Sequence, residues 1–168
     1  MTATIRSAAL IAATVTTGLG AGLFYAFSCA VMPGLRQSDD RTFVTAMQRI
    51  NVAIVNGWFM ISFMGALLLT GLALFLQYRG GDRAPLPWLV AGLALYLAMF
   101  VITVAFNIPL NDQLDAAGDP ARIHDLAAVR ERFETVWVRW NIVRAVVSTA
   151  AFGCLSWALV LHGRTSRG

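Results

Sequence analysis

Charge is what this chain has least of. Of its 168 residues, 13% are charged, against roughly 25% in an ordinary soluble domain. A larger soluble core cannot absorb that deficit, because small domains bury the smallest fraction of their surface. Lysine is absent altogether, so the 13 basic residues are all arginine and raise the isoelectric point to about 9.8. With 2 cysteines the chain is no disulfide scaffold, and with 58% hydrophobic residues it is no disordered segment. A nucleic-acid partner is excluded too. The net charge is only +4, and the arginines are interspersed with acidic residues instead of forming a stripe. With a mean hydropathy of +0.66, what remains is one all-α integral membrane domain over residues 1–168, in contact with the lipid bilayer, with the cell membrane as the expected location.

Chemical absences narrow the function. No Asp or Glu falls in any of the four apolar stretches described below, and no Glu-x-x-His pair exists, which argues against a di-iron carboxylate site. The two histidines, His124 and His162, are not placed for bis-histidine haem ligation. Zinc-type Cys/His spacing and a Gly-rich phosphate loop are also missing. No metal and no organic cofactor is expected. A proton-coupled exporter would need a membrane carboxylate, and no inverted repeat points to a transporter.

Four stretches meet the requirement of roughly 20 mainly apolar residues for a membrane helix. They run from about residue 7 to 32, 57 to 78, 88 to 108 and 141 to 162. The first has the Arg6 and apolar run of a signal peptide, but the run is too long and it is taken as a retained helix. Residues 79–87 form a breaker-rich turn, which makes spans two and three antiparallel neighbours. Pro33-Gly34 is expected to end span one. Ser38, Asp39 and Asp40 offer caps for an amphipathic lead-in helix from about 42 to 55, bent at Asn56-Gly57. Before span four lies a polar loop and helix, about 111 to 140, with residues 111–119 loop-like and 121–139 helical. Both termini and the 79–87 turn share one membrane side, which carries Arg6, Arg79, Arg83, Arg164 and Arg167. The other side carries Arg36, Arg41, Arg49, Arg122, Arg130, Arg132 and Arg139. The count favours that second side as cytoplasmic, although the first-helix flank pulls the other way. Gly18 and Gly22 make a small-xxx-small pair that serves either bundle packing or association into a homo-oligomer.

Alternating topology brings the end of span one, the start of span two, the end of span three and the start of span four to one membrane face. Most of the unusual polar residues gather there: Tyr25 and Ser28, Gln48 and Asn51, Asn107 and Asn111, and Trp137, Trp140, Asn141 and Arg144. The last four stand at i, i+3, i+4 and i+7, one stripe of a helix. A guanidinium one turn inside the membrane keeps its proton and must find carbonyls, amides or an anion. Snorkelling of Arg144 to the interface is the bland alternative. Pro109 should stop or kink span three and free carbonyls near Asn107.

The runs Gly22-Leu23-Phe24-Tyr25-Ala26-Phe27-Ser28, Val31-Met32-Pro33-Gly34-Leu35, Met47-Gln48-Arg49-Ile50-Asn51, Asn107-Ile108-Pro109-Leu110-Asn111 and Trp137-x-x-Trp140-Asn141-x-x-Arg144 resemble the anthrone oxygenase-like family, over nearly the whole chain. Gly57 and Ile142 stand where that family often has proline and histidine. The resemblance implies a small membrane protein that oxidises an anthrone to an anthraquinone with molecular oxygen and no cofactor. On that basis Arg144, Asn107 and Asn111 would stabilise an oxyanion and Tyr25 would relay a proton. Trp137, Trp140, Asn141, Gln48 and Asn51 would hold the lipophilic aromatic. Asp112 is the carboxylate nearest in sequence. The competing reading is a non-enzymatic membrane ligand binder or scaffold, in which the same cluster is structural.

Overall fold

The computed structural model describes residues 3–165; Arg167 of the five-arginine side lies outside them. Four helical stretches are long and apolar enough to cross a membrane: Thr4–Arg36, Gly57–Arg79, Leu86–Ala116 and Leu126–Arg164. No strand occurs among the described residues. In chain order the elements are α1 (Ala3–Ala26), a π turn (Phe27–Val31), α2 (Met32–Arg36), α3 (Asp40–Ile54) and α4 (Gly57–Arg79). Then come α5 (Leu86–Ile102), a second π turn (Thr103–Asn107), α6 (Ile108–Ala116) and α7 (Leu126–Thr165). Each long helix packs beside the next, and α7 closes the ring against α1; the contact between α4 and α5 is the slightest of the four.

The two prolines expected to stop helices do not. α1 continues through its π turn into α2, and α5 through its own into α6. A proline ring clashes with the carbonyl four residues earlier. For Pro33 that is Cys29 and for Pro109 it is Ala105, each the middle residue of a π turn. The wider coil of the π turn takes up the clash, and the helix runs on. For the same reason residues 111–116, expected as loop, are helical. The helix ends where Gly118 takes a φ of 82°.

The lead-in helix forms as the sequence expects. Asp39 is its cap: Oδ1 accepts from Thr42 N at 3.0 Å and Oδ2 from Thr42 Oγ1 at 2.6 Å. These bonds, the side-chain one first, hold the Asp39 carboxyl below its usual value. The expected bend at Asn56-Gly57 is a full break, with Asn56 Oδ1 capping α4 through Phe59 N at 3.0 Å. α7 starts at Leu126, later than expected, because Asp119 holds residues 119–122 in a turn through Ala121 N at 2.9 Å and Asp125 caps Ala128 N.

At 40 residues, α7 is about 60 Å long, twice the hydrocarbon thickness of about 30 Å. Its first part stands beyond the membrane and packs on α2, α3 and α6. Met32, Phe43, Val44, Met47, Leu114 and Phe133 are buried there. Arg130 fastens this cap: it donates to Glu134 at 2.7 Å, Asp40 at 3.0 Å and the carbonyls of Ser38 and Arg36, each at 2.9 Å. Gly18 faces α7; a Cβ there would meet the Phe152 ring at 2.9 Å, while one on Gly22 would meet nothing within 4 Å.

Candidate functional site

Between this cap and the middle of the bundle lies a cavity of about 370 Å³, within the roughly 300–1,000 Å³ of small-molecule sites. Its apolar wall includes Phe24, Phe59, Phe63 and Phe100. Phe63 stacks with Phe59 at 5.2 Å and Phe100 at 5.4 Å between centroids. The polar wall is Asn51, Thr103, Asn107, Asn111, Asn141 and Arg144, with Trp137 beside them.

Arg144 is buried, 6% exposed, which sets snorkelling aside. Its guanidinium lies over the Phe24 ring at 4.4 Å and the Trp137 ring at 5.5 Å. Nη2 donates to Asn141 Oδ1 at 2.8 Å, whereas Nε has no partner among the described residues. No ion pair of Arg144 occurs among the described residues. A buried cation without a carboxylate is costly unless something compensates it.

Asn141 fixes the orientation of that cation. Its Nδ2 donates to the Phe24 carbonyl at 3.0 Å and to Ser28 Oγ at 2.9 Å, at the start of the first π turn. The second π turn carries Thr103 and Asn107 on the cavity wall. Asn107 is 1% exposed, and neither its Nδ2 nor its Oδ1 has a partner among the described residues. Asn51 Nδ2 is likewise unpartnered. Asn111 Oδ1 accepts from Trp137 Nε1 at 2.8 Å. Unpaired donors therefore outnumber unpaired acceptors, and one positive charge stands among them. A ligand that satisfies this wall brings acceptor oxygens and partial or full negative charge.

Three of the nine residues expected to have a catalytic or binding role do not line the cavity. Tyr25 is 63% exposed on the outside of α1; Phe24 holds the inward position, and one helical step of 100° turns its neighbour away. Trp140 stacks flat on Phe106, 3.7 Å between centroids and 9° between planes. It sits at the edge of the α7 stripe and reaches the neighbouring helix instead of the hollow. Gln48 Nε2 donates to the carbonyls of Leu114 and Gly118 at 2.9 and 3.0 Å, tying α3 to the end of α6. Asp112 is exposed and absent from the wall, as is Ile142, 46% exposed. The phenylalanine wall has no counterpart among the residues expected at the site. Nothing in the sequence separates a cavity phenylalanine from a core one.

An all-helical membrane bundle enclosing an aromatic pocket with a buried arginine is the class that fold and site define. Residues 58–154 match the profile of the anthrone oxygenase family, more than half of the chain, and the protein belongs to that family. The match includes Asn107, Trp137, Asn141 and Arg144; Phe24 and Asn51 lie before it. No curated protein and no solved structure matches the chain.

Proposed function

We propose that the protein is a cofactor-independent oxygenase of the cell membrane, acting on a lipophilic, flat aromatic of the anthrone type. The observation that carries this reading is the buried Arg144, whose Nε, like the Asn107 amide on the same cavity wall, has no partner among the described residues, in a pocket whose apolar wall is rich in aromatic rings. An anthrone is acidic at its central methylene, and deprotonation places negative charge on its ketone oxygen. Fixed donors in a site of low dielectric favour that enolate, each donor contributing on the order of 10²–10³ in rate. Trp137 and the phenylalanines hold the ring system. The electron-rich enolate reduces oxygen and combines with it at the former methylene carbon. The resulting hydroperoxide loses water to leave a second ketone. Substrate plus O₂ gives quinone plus H₂O, so one oxygen atom enters the product and both methylene hydrogens leave in water. The released proton passes to water; no side chain is assigned as general base.

The test is oxygen uptake with a simple anthrone in membranes containing the protein, the Arg144→Ala variant or neither. Uptake in the wild type alone supports the reading. Equal rates in all three remove it. One observation favours a non-enzymatic ligand binder: Asn141 is fully engaged with Arg144, Ser28 and Phe24, as a structural clasp would be. That reading expects Arg144→Ala to reduce folded yield and leave no rate to lose.

A further inference from the structure

The cavity is closed on its polar side and open on its lipid side. Toward the cap its roof is Trp137, 4% exposed, which is backed by the buried cluster of Met32, Phe43 and Met47, each 3% exposed or less. The bonds from Trp137 to Asn111 and from Gln48 to the end of α6 hold that roof down. Laterally the situation reverses. Four wall residues are substantially exposed: Val55 at 70%, Met60 at 39%, Val104 at 50% and Ile108 at 44%. Met60 on α4 and Val104 and Ile108 on the α5–α6 helix stand on the two sides of the slack contact between those helices, with Val55 at the end of α3, and all four are apolar. Every polar wall residue is buried or half-buried.

From this we infer that the substrate reaches Arg144 sideways from the bilayer, through an apolar mouth framed by Met60 on α4 and Val104 on the second π turn, and arrives as a neutral molecule that ionises only inside. This rests on the cavity being the substrate site, as proposed above. A charged molecule passing such a rim would leave its water without compensation, whereas the neutral acid is at home in hydrocarbon. Once past the rim, the enolate is formed where Arg144 and Asn107 already stand, and the same apolar rim opposes its escape. The ligand class is therefore a bilayer-soluble weak acid, not a permanent anion.

Proteoliposomes of the full chain test this with two readouts. The first is turnover of neutral anthrone, with an anthrone sulfonate in parallel. The second needs no chemistry: quenching of Trp137 fluorescence by 9,10-anthraquinone, taken as the difference from Trp137→Phe and followed by stopped flow. The expected result for the double variant Met60→Phe/Val104→Phe is a kcat/KM for anthrone lower by about tenfold with kcat within about twofold, as for a loss confined to binding. Quenching should slow by a similar factor. Val104→Ala, which widens the mouth, should change both in the opposite direction. Val146→Phe, on a lipid-facing position of α7 that is 64% exposed and outside the wall, should change neither. The sulfonate should not react.

Turnover that is unaffected by the rim variants, or equal turnover of the sulfonate, overturns lateral loading and leaves the oxygenase reading intact. Quenching that depends on the rim, without any anthrone turnover, keeps the route and removes the oxygenase. Neither quenching nor turnover in the wild type overturns both.

Discussion

Near the turn that joins α4 to α5, small residues bring the helices together. Ala9, Ala13, Ala73 and Ala158 are buried there with Leu10, Leu76, Leu89 and Leu155. At the other end Phe24, Phe59, Phe63 and Phe100 stand around a cavity of about 370 Å³. The polar groups differ in the same sense. At the closed end Thr14 donates to Leu10 O, Gln77 donates to Asp82, and Ser7 bonds His162 at 2.9 Å. Among the described residues Asn107, Asn51 Nδ2 and Arg144 Nε have no partner at the open end, while Arg6 Nε at the closed end and Thr17 Oγ1, further along α1, are further orphans. Buried polar groups are nearly always hydrogen-bonded, so a concentration of exceptions along one wall needs an explanation. A stable fold that keeps them implies that something else completes them.

The contrast can be broken most severely at Arg144. Arg144→Gln should lower the rate of anthrone oxidation by about 10²–10³, measured per folded protein in membranes. At the closed end Leu155→Ala should instead remove about 2–5 kcal/mol of stability. There the activity per folded molecule should remain, as judged by thermal unfolding in detergent alongside the oxygen assay. A smaller loss, about 1–3 kcal/mol, is expected from Gly18→Ala, whose new methyl group meets the Phe152 ring. Gly22→Ala serves as the neutral control in the same melt.

Asn107 gives the most discriminating change, because its effect on stability is opposite in sign to that of the closed-end substitutions. Replacing an orphaned amide by an apolar group of similar volume should stabilise the protein. Asn107→Leu is expected to raise stability by about 1 kcal/mol while abolishing oxidation. A loss of stability would show that the amide is already satisfied and would remove it from the site.

The smallest effect is expected outside the membrane. The bonds from Thr42 hold the Asp39 carboxyl below its ordinary value, so the charged form favours the folded state. That contribution is complete above the unfolded carboxyl's range and is lost as pH falls through the folded value. The difference in melting temperature between wild type and Asp39→Asn should therefore shrink on acidification.

Much of this was legible before folding. Four long apolar runs and a charge content of 13% are enough for a membrane bundle, because hydrocarbon tolerates little else. Up-and-down topology then brings Asn51, Asn107, Asn111, Trp137, Asn141 and Arg144 to one end, and they do meet on one wall. The helix stops were misjudged, since a proline advertises a break and a π turn leaves no residue signature of its own. Tyr25, Trp140 and Gln48 stand at the expected depth but outside the cavity, because neither depth nor membership of a stripe says which neighbour a side chain meets.

The sequence by itself determined the solvent of this protein and the depth of its polar residues. Both follow from the free energy of transferring each residue out of water, a local property. The tertiary structure decided which of those residues face a hollow and which lie against lipid, a neighbouring helix or the cap. It also decided that the Arg144 guanidinium would be met by Asn141 and, among the described residues, by no carboxylate. Those outcomes depend on how helices distant in sequence pack around the two π turns, and packing is a property of the whole bundle.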